Sequence, residues 1–145
     1  MDLPLELLNQ TIERGTILLS DCFTDIDHAK FFVIMGVFED RIAGFFFINS
    51  RIHPIIFSKP AQLEMQFLLR KEDYDFLRYD SYLGASEIIV REISILGQSM
   101  KDGQTQIVGQ LLEKDLLPVL EACPTVICLL QKKNANSSTE KFLDS

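Results

Sequence analysis

Apolar positions along the chain fall into short runs broken by turn residues, a pattern of strands rather than of long helices. Residues 16–20 (TILLS) and 31–38 (FFVIMGVF) each predict a strand. Phe38-Glu39-Asp40-Arg41 reads as a turn, and Ile42 to Ile48 as a third strand. Gly44 inside that run predicts a bulge or a close backbone approach. Phe45-Phe46-Phe47 is continuous rather than alternating, so both faces of the third strand should be covered. Residues 55–57 read as a short strand ended by Lys59-Pro60, and residues 64–69 as another. Residues 86–89 and 92–96 fit two further short strands.

Helical spacing occurs near both ends. Leu5, Leu8 and Ile12 predict a short amphipathic helix over residues 4–13, with Gly15 just past its end. A second helix is expected over residues 113–122, where Glu113 and Asp115 would complement the helix dipole and Pro118 would remove one hydrogen bond. Residues 70–80 mix charges of both signs and read as a solvated loop or helical turn, pinned by Tyr74, Phe76 and Tyr79. Lys101 to Gln104 is a turn or a helix start, and residues 125–130 fit a last strand or a helix end. Residues 1–131 thus form one domain, and the Ser/Asn-rich residues 132–145 a polar tail. Many short strands with a late helix predict a mainly β (α+β) fold, a small, partly open β-barrel of about five to seven strands with a C-terminal helix.

Composition narrows the classes. A chain of 145 residues, 47% hydrophobic with 11 Phe and no Trp, has enough apolar volume for one core, filled largely by Phe. The net charge of −7 repels polyanions at long range, so nucleic acid would need a local basic patch. Three cysteines, Cys22, Cys123 and Cys128, do not close a disulfide framework. Cys123 and Cys128 are spaced like a metal pair, but both histidines lie far away in sequence, so buried free thiols in a reducing cytosol are the preferred reading. Neither a metal nor a cofactor is expected. The acidic, weakly apolar start does not read as a signal peptide, and no run reaches the roughly 18 apolar residues of a membrane span.

The order of several short motifs resembles the PemK/MazF toxin family. Gly15-Thr-Ile-Leu-Leu, Phe23-Thr-Asp25 and Lys30 opening an apolar strand are similar to that family's first segments. Ile48-Asn49-Ser50 is similar to its I-T-S segment, and Asp80-Ser81-Tyr82-Leu83 to its S-Y-[VI] segment. Val108-Gly109-Gln110-Leu111 followed by Asp115-Leu116 is similar to the segment leading into the last helix, so the order spans roughly residues 14 to 122. The resemblance implies an SH3-like barrel, a cytoplasmic homodimer paired with an antitoxin protein, and cleavage of single-stranded RNA without a metal. Lys30 matches the Lys of the family's K-R-P motif and Ser50 its hydroxyl position. The catalytic Arg position is Phe31 and the Pro position Phe32.

Metal-free RNA cleavage needs a base for the 2′-OH, a cation for the charged phosphorane and an acid for the leaving oxygen. The two histidines, His28 and His53, flank the two segments that match the family's site. His28, Lys30, Ser50, Arg51 and His53 are therefore the candidate catalytic set, converging at one rim in place of the lost Arg. The bland alternative is a solvated His28 between Asp27 and Lys30, a turn at His53-Pro54 and an Arg51 that only ends a strand. Phe31 is the candidate partner-binding residue: exposed at the rim, it would favour a protein over RNA and make the chain a catalytically silent binding module. Its alternative is cover by a second copy or by residues 70–80.

Overall fold

The computed structural model describes residues 13–21, 29–39 and 41–123. Among them, seven strands form one antiparallel sheet: β1 (Thr16–Ser20), β2 (Lys30–Phe38), β3 (Ile42–Asn49), β4 (Gln66–Leu69), β5 (Ser81–Gly84), β6 (Ile89–Glu92) and β7 (Thr105–Gln110). Three helices accompany it: α1 (Pro60–Leu63), α2 (Ile93–Lys101) and α3 (Glu113–Ala122). The strand order is β4-β5-β3-β2-β1-β7, with β6 pairing β3 beside β5. The fold is mainly β, α+β, and the described pairings leave the sheet open rather than joined from β4 to β7.

The first three strands follow the expected boundaries. The turn between β2 and β3 closes with Arg41 N–H donating to the Phe38 carbonyl at 3.1 Å. The irregularity expected at Gly44 lies across from it: the register shifts between Ile34 and Gly36, and Gly36 faces Gly44. The Phe triplet divides between the two faces of β3. Phe46 packs with Ile17, Val33, Met35 and Leu83, while Phe45 packs with Leu18, Phe32 and Ile34 on the other side. The first face is closed by Tyr74, Leu77, Leu111 and Val119, and the second by Ile93 and Leu96 of α2. Phe32 and Phe45 lie fully buried with ring centroids 4.5 Å apart, each burial stabilising by about 1.5–3 kcal/mol.

Four expectations are corrected. Of residues 86–89 only Ile89 lies in a strand, as the first residue of β6. Residues 55–57 do not form a strand: Pro54–Ser58 is a 3-10 helix, with Pro54 in its first turn and His53 as its cap. Of residues 92–96 only Glu92 ends a strand, and Ile93 begins α2, which buries Ile93, Leu96 and Ser99 at helical spacing. Residues 105–110 form β7, where no element was expected, while the helix expected over residues 113–122 is α3, with Pro118 inside it. The helix expected over residues 4–13 lies outside the described residues except for Glu13, and residues 125–130 and the tail lie outside entirely.

Polar ties anchor the covering segments. Ser20 and Thr105 exchange a buried hydroxyl hydrogen bond of 2.6 Å, and Ser99 Oγ also bonds Thr105 Oγ1, which links β1, β7 and α2. Residues 70–80 are held to the start of α3 through Tyr74. Its hydroxyl donates to Asp115 Oδ2 at 2.5 Å and accepts from the Leu112 N–H at 3.0 Å. Lys114 pairs with Asp73 at 2.7 Å nearby.

Tyr74→Phe should leave the ring in place and strand the Leu112 N–H, lowering stability in urea unfolding by about 1–3 kcal/mol. Burial, and then the Asp115 carboxylate, hold the Tyr74 phenol above its ordinary value of 10.0. The folded state therefore keeps that proton longer than the unfolded chain. Its contribution is complete below pH 10.0 and falls as pH rises above it, a decline that Tyr74→Phe should lack.

Candidate functional site

The site begins where β2 starts and β3 ends. Antiparallel pairing sets Phe31 opposite Ile48, so Lys30 and Asn49 face each other one position further along. The Lys30 ammonium donates to Asn49 Oδ1 and lies 5.4 Å from the centroid of the Phe47 ring, close enough for a cation–π attraction. Lys30 is only half-exposed, and burial holds its ammonium below the ordinary lysine range. The two contacts let the charge stay on a partly desolvated side chain.

Beyond Asn49 the chain leaves the sheet and runs into the 3-10 helix Pro54–Ser58. Ser50 and Arg51 are exposed, and His53 caps the 3-10 helix: its Nδ1 accepts the Ile55 N–H at 3.2 Å. An accepting Nδ1 favours the neutral tautomer with its proton on Nε2. The ring nitrogen left free is then a donor, suited to an anionic oxygen.

Lys30, Asn49, Ser50, Arg51, Ile52, His53, Pro54, Ile56 and Gln66 line one cavity of about 570 Å³. Four of the five candidate catalytic residues thus share a wall, although they come from segments some twenty residues apart. The fifth, His28, lies outside the described residues. The described lining carries two permanent cations and no carboxylate, so this is a locally positive spot on a chain of net charge −7. Two donors that sequence reading did not single out, Asn49 and Gln66, complete the lining.

Phe31 follows Lys30 on the strand and turns to the opposite face. It is half-buried and packs on Phe76 with ring centroids 4.8 Å apart, and Phe76 in turn meets Tyr74 at 5.8 Å. The charged segment at residues 70–80 therefore covers Phe31.

A second cavity, of about 340 Å³, is lined by Phe46, Ala61, Gln62, Met65, Ala85, Ser86, Ile88 and Cys123. Burial pushes the Cys123 thiol up, and its Sγ points to the Ala85 carbonyl at 3.9 Å, so the reactive thiolate is disfavoured. Among the described residues no group of three or more His, Cys, Asp or Glu could hold a metal ion. No described helix is long and apolar enough to cross a membrane. No protein-family model matches the chain, and no curated protein matches it.

The lowered Lys30 ammonium has a definite pH signature. Between its folded value and the ordinary 10.5, the unfolded chain binds more protons than the folded one. The unfolding free energy of the wild type, minus that of Lys30→Met, should therefore rise as pH increases toward 10.5. Paired urea titrations of the two proteins measure it.

Proposed function

We propose that the chain is a divergent PemK/MazF-like protein with an SH3-like barrel, whose positive cavity seats the backbone of single-stranded RNA and cleaves it without a metal. The observation that carries this reading is the meeting of Lys30, Ser50, Arg51 and His53 around one cavity whose described lining holds no carboxylate. Arg51 offers the planar fork that the residue at Phe31 no longer supplies, and it does so from the neighbouring strand end. Lys30, held by Asn49, adds a second charge from the sheet side.

In such a cleavage the 2′-oxygen attacks phosphorus and loses its proton to a base. The 5′-oxygen leaves and gains a proton, and a 2′,3′-cyclic phosphate forms. Arg51 and Lys30 would hold the phosphorane oxygens, and His53 Nε2–H and the Ser50 hydroxyl would donate to them or to the leaving oxygen. The homodimer and the antitoxin partner implied by the resemblance belong to the same proposal.

A second reading, a catalytically silent protein-binding module, is favoured by two observations. The His53 cap keeps that ring from serving as the base in its preferred tautomer. Ile55 and Phe57, 56% and 62% exposed, stand on the same short helix as the cavity residues Pro54 and Ile56.

Incubation of the protein with a long unstructured RNA in EDTA, followed by mapping of the new 5′ ends, separates the two. Cleavage at defined positions is expected, with Lys30→Ala and Arg51→Ala each slowing it by about 10²–10³-fold. Intact RNA at high protein concentration would overturn the ribonuclease reading and leave the binding module.

A further inference from the structure

Two of the cavity's lining residues come from strands on either side of β5. Asn49 ends β3 and Gln66 begins β4, and β5 pairs with both strands. Along β5 the side chains alternate. Ser81 and Leu83 are buried, Leu83 in the core that holds Phe46, so Tyr82 turns to the opposite face. Pairing fixes its neighbours there. Tyr82 stands opposite Asn49 of β3 on one side and opposite Leu68 of β4 on the other, and residues directly opposite in an antiparallel pair share a face. Lys30, Asn49, Tyr82 and Leu68 therefore form one row across four strands, with the Lys30–Asn49 hydrogen bond at its cavity end.

The fold makes little use of the Tyr82 side chain. It is partly exposed and belongs to neither core. Among the described residues its hydroxyl has no hydrogen-bond partner and its ring no aromatic neighbour. Tyr74, by contrast, ties its hydroxyl to Asp115 and Leu112 and its ring to Phe76. Beyond Tyr82 in the row, Leu68 is 49% exposed. The row thus runs from a cation through an amide to an unengaged aromatic ring and an exposed aliphatic side chain.

We propose that Tyr82 is a stacking platform for one nucleobase of the RNA strand whose phosphate lies in the cavity. This rests on the reading of the cavity as an RNA site. Charge complementarity brings the backbone of the strand to the recess, and Tyr82 and Leu68 add the apolar surface that a phosphate does not use. Unpaired RNA bases are held on aromatic rings in this way, because every base has a π face. Tyr82 lies one strand spacing, about 4.8 Å, beyond Asn49, so a base can rest on the ring while the phosphate beside it stays with Lys30 and Arg51. Stacking reads no hydrogen-bonding edge, so the platform accepts any base.

Two oligomers of equal charge separate stacking from phosphate binding. One is 2′-O-methyl hexauridylate, whose blocked 2′-oxygen cannot attack phosphorus. The other is the same hexamer with abasic sugars. Fluorescence anisotropy of end-labelled strands, in EDTA at fixed salt, should show the wild type binding the base-bearing strand more tightly. Tyr82→Ala should lower hexauridylate affinity by roughly 5- to 150-fold, the range for loss of one base–aromatic stack, and leave abasic affinity unchanged. Tyr82→Phe keeps the ring and should bind hexauridylate as the wild type does. Arg51→Ala should weaken both strands alike, because it removes a phosphate contact. The chain has three Tyr and no Trp, so stacking also has an optical signature. Hexauridylate should quench part of the tyrosine emission, and Tyr82→Phe should lose that quench while still binding. Should Tyr82→Ala lose its melting transition, the quench in the wild type and in Tyr82→Phe decides alone. Unchanged hexauridylate affinity in Tyr82→Ala, an equal loss for both strands, or a quench that is absent or survives Tyr82→Phe would overturn the stacking proposal and leave the phosphate site standing. Failure of the wild type to bind either strand, or unmethylated hexauridylate, would overturn both.

Discussion

Burial of β3 on both faces and pairing along both of its edges is the constraint on which the other elements depend. One edge runs beside β2 over nearly the whole strand. The other is shared, with β6 at Ile42–Phe45 and β5 at Ile48–Asn49. With Phe46 facing one core and Phe45 the other, a slip of one residue would exchange the two sets of side chains. The register of β3 is thereby held, and with it the position of Asn49 opposite Lys30. The same strand that anchors both cores thus ends at the candidate site, so the first polar contact there is placed by packing rather than by a loop.

That arrangement also explains how an acidic protein can present a positive recess. Charges on the surface at large act weakly through water and salt over more than a Debye length. Inside the recess the Lys30 ammonium is partly withdrawn from water, beside the Phe47 ring and the Asn49 amide. Arg51 and His53 join the same wall from the segment that follows β3. Local geometry, rather than net charge, sets what such a recess attracts.

Legibility in the sequence varied with how far the deciding contact lay. β1, β2 and β3 could be read because each run is apolar enough to declare itself, and the Phe triplet correctly implied cover on both faces. α3 was legible from its acidic first turn. The misreadings share a cause. Ile93 and Ile95 alternate with Glu92 and Ser94 as a strand would, yet the fold buries Ile93 and Leu96 and leaves Ile95 51% exposed, so a three-residue spacing wins over a two-residue one. Ile55, Ile56 and Phe57 look like a strand until Pro54 and the His53 cap turn them into a helix. β7 was hidden by Gly109 and by the apolar positions running on toward α3. At the site, Lys30, Ser50, Arg51 and His53 were legible as residue types. Asn49 and Gln66 as members of the same wall were not, because their meeting depends on the pairing of β3 with β5 and of β5 with β4.

The seam between β1 and β7 bears on how the chain is made. Its buried hydroxyl contact joins residues 85 positions apart, whereas β1, β2 and β3 are near neighbours in sequence. As the chain emerges from a ribosome, the three-stranded meander can assemble early, but the outer edge of β1 stays unpaired until residues 105–110 have been synthesised. Closing so long a loop is slow, and an open, largely apolar strand edge invites pairing with neighbouring chains in the interval. β7 therefore acts as a cap on vectorial folding, and truncation ahead of it would expose an aggregation-prone edge even though most of the described sheet had already formed.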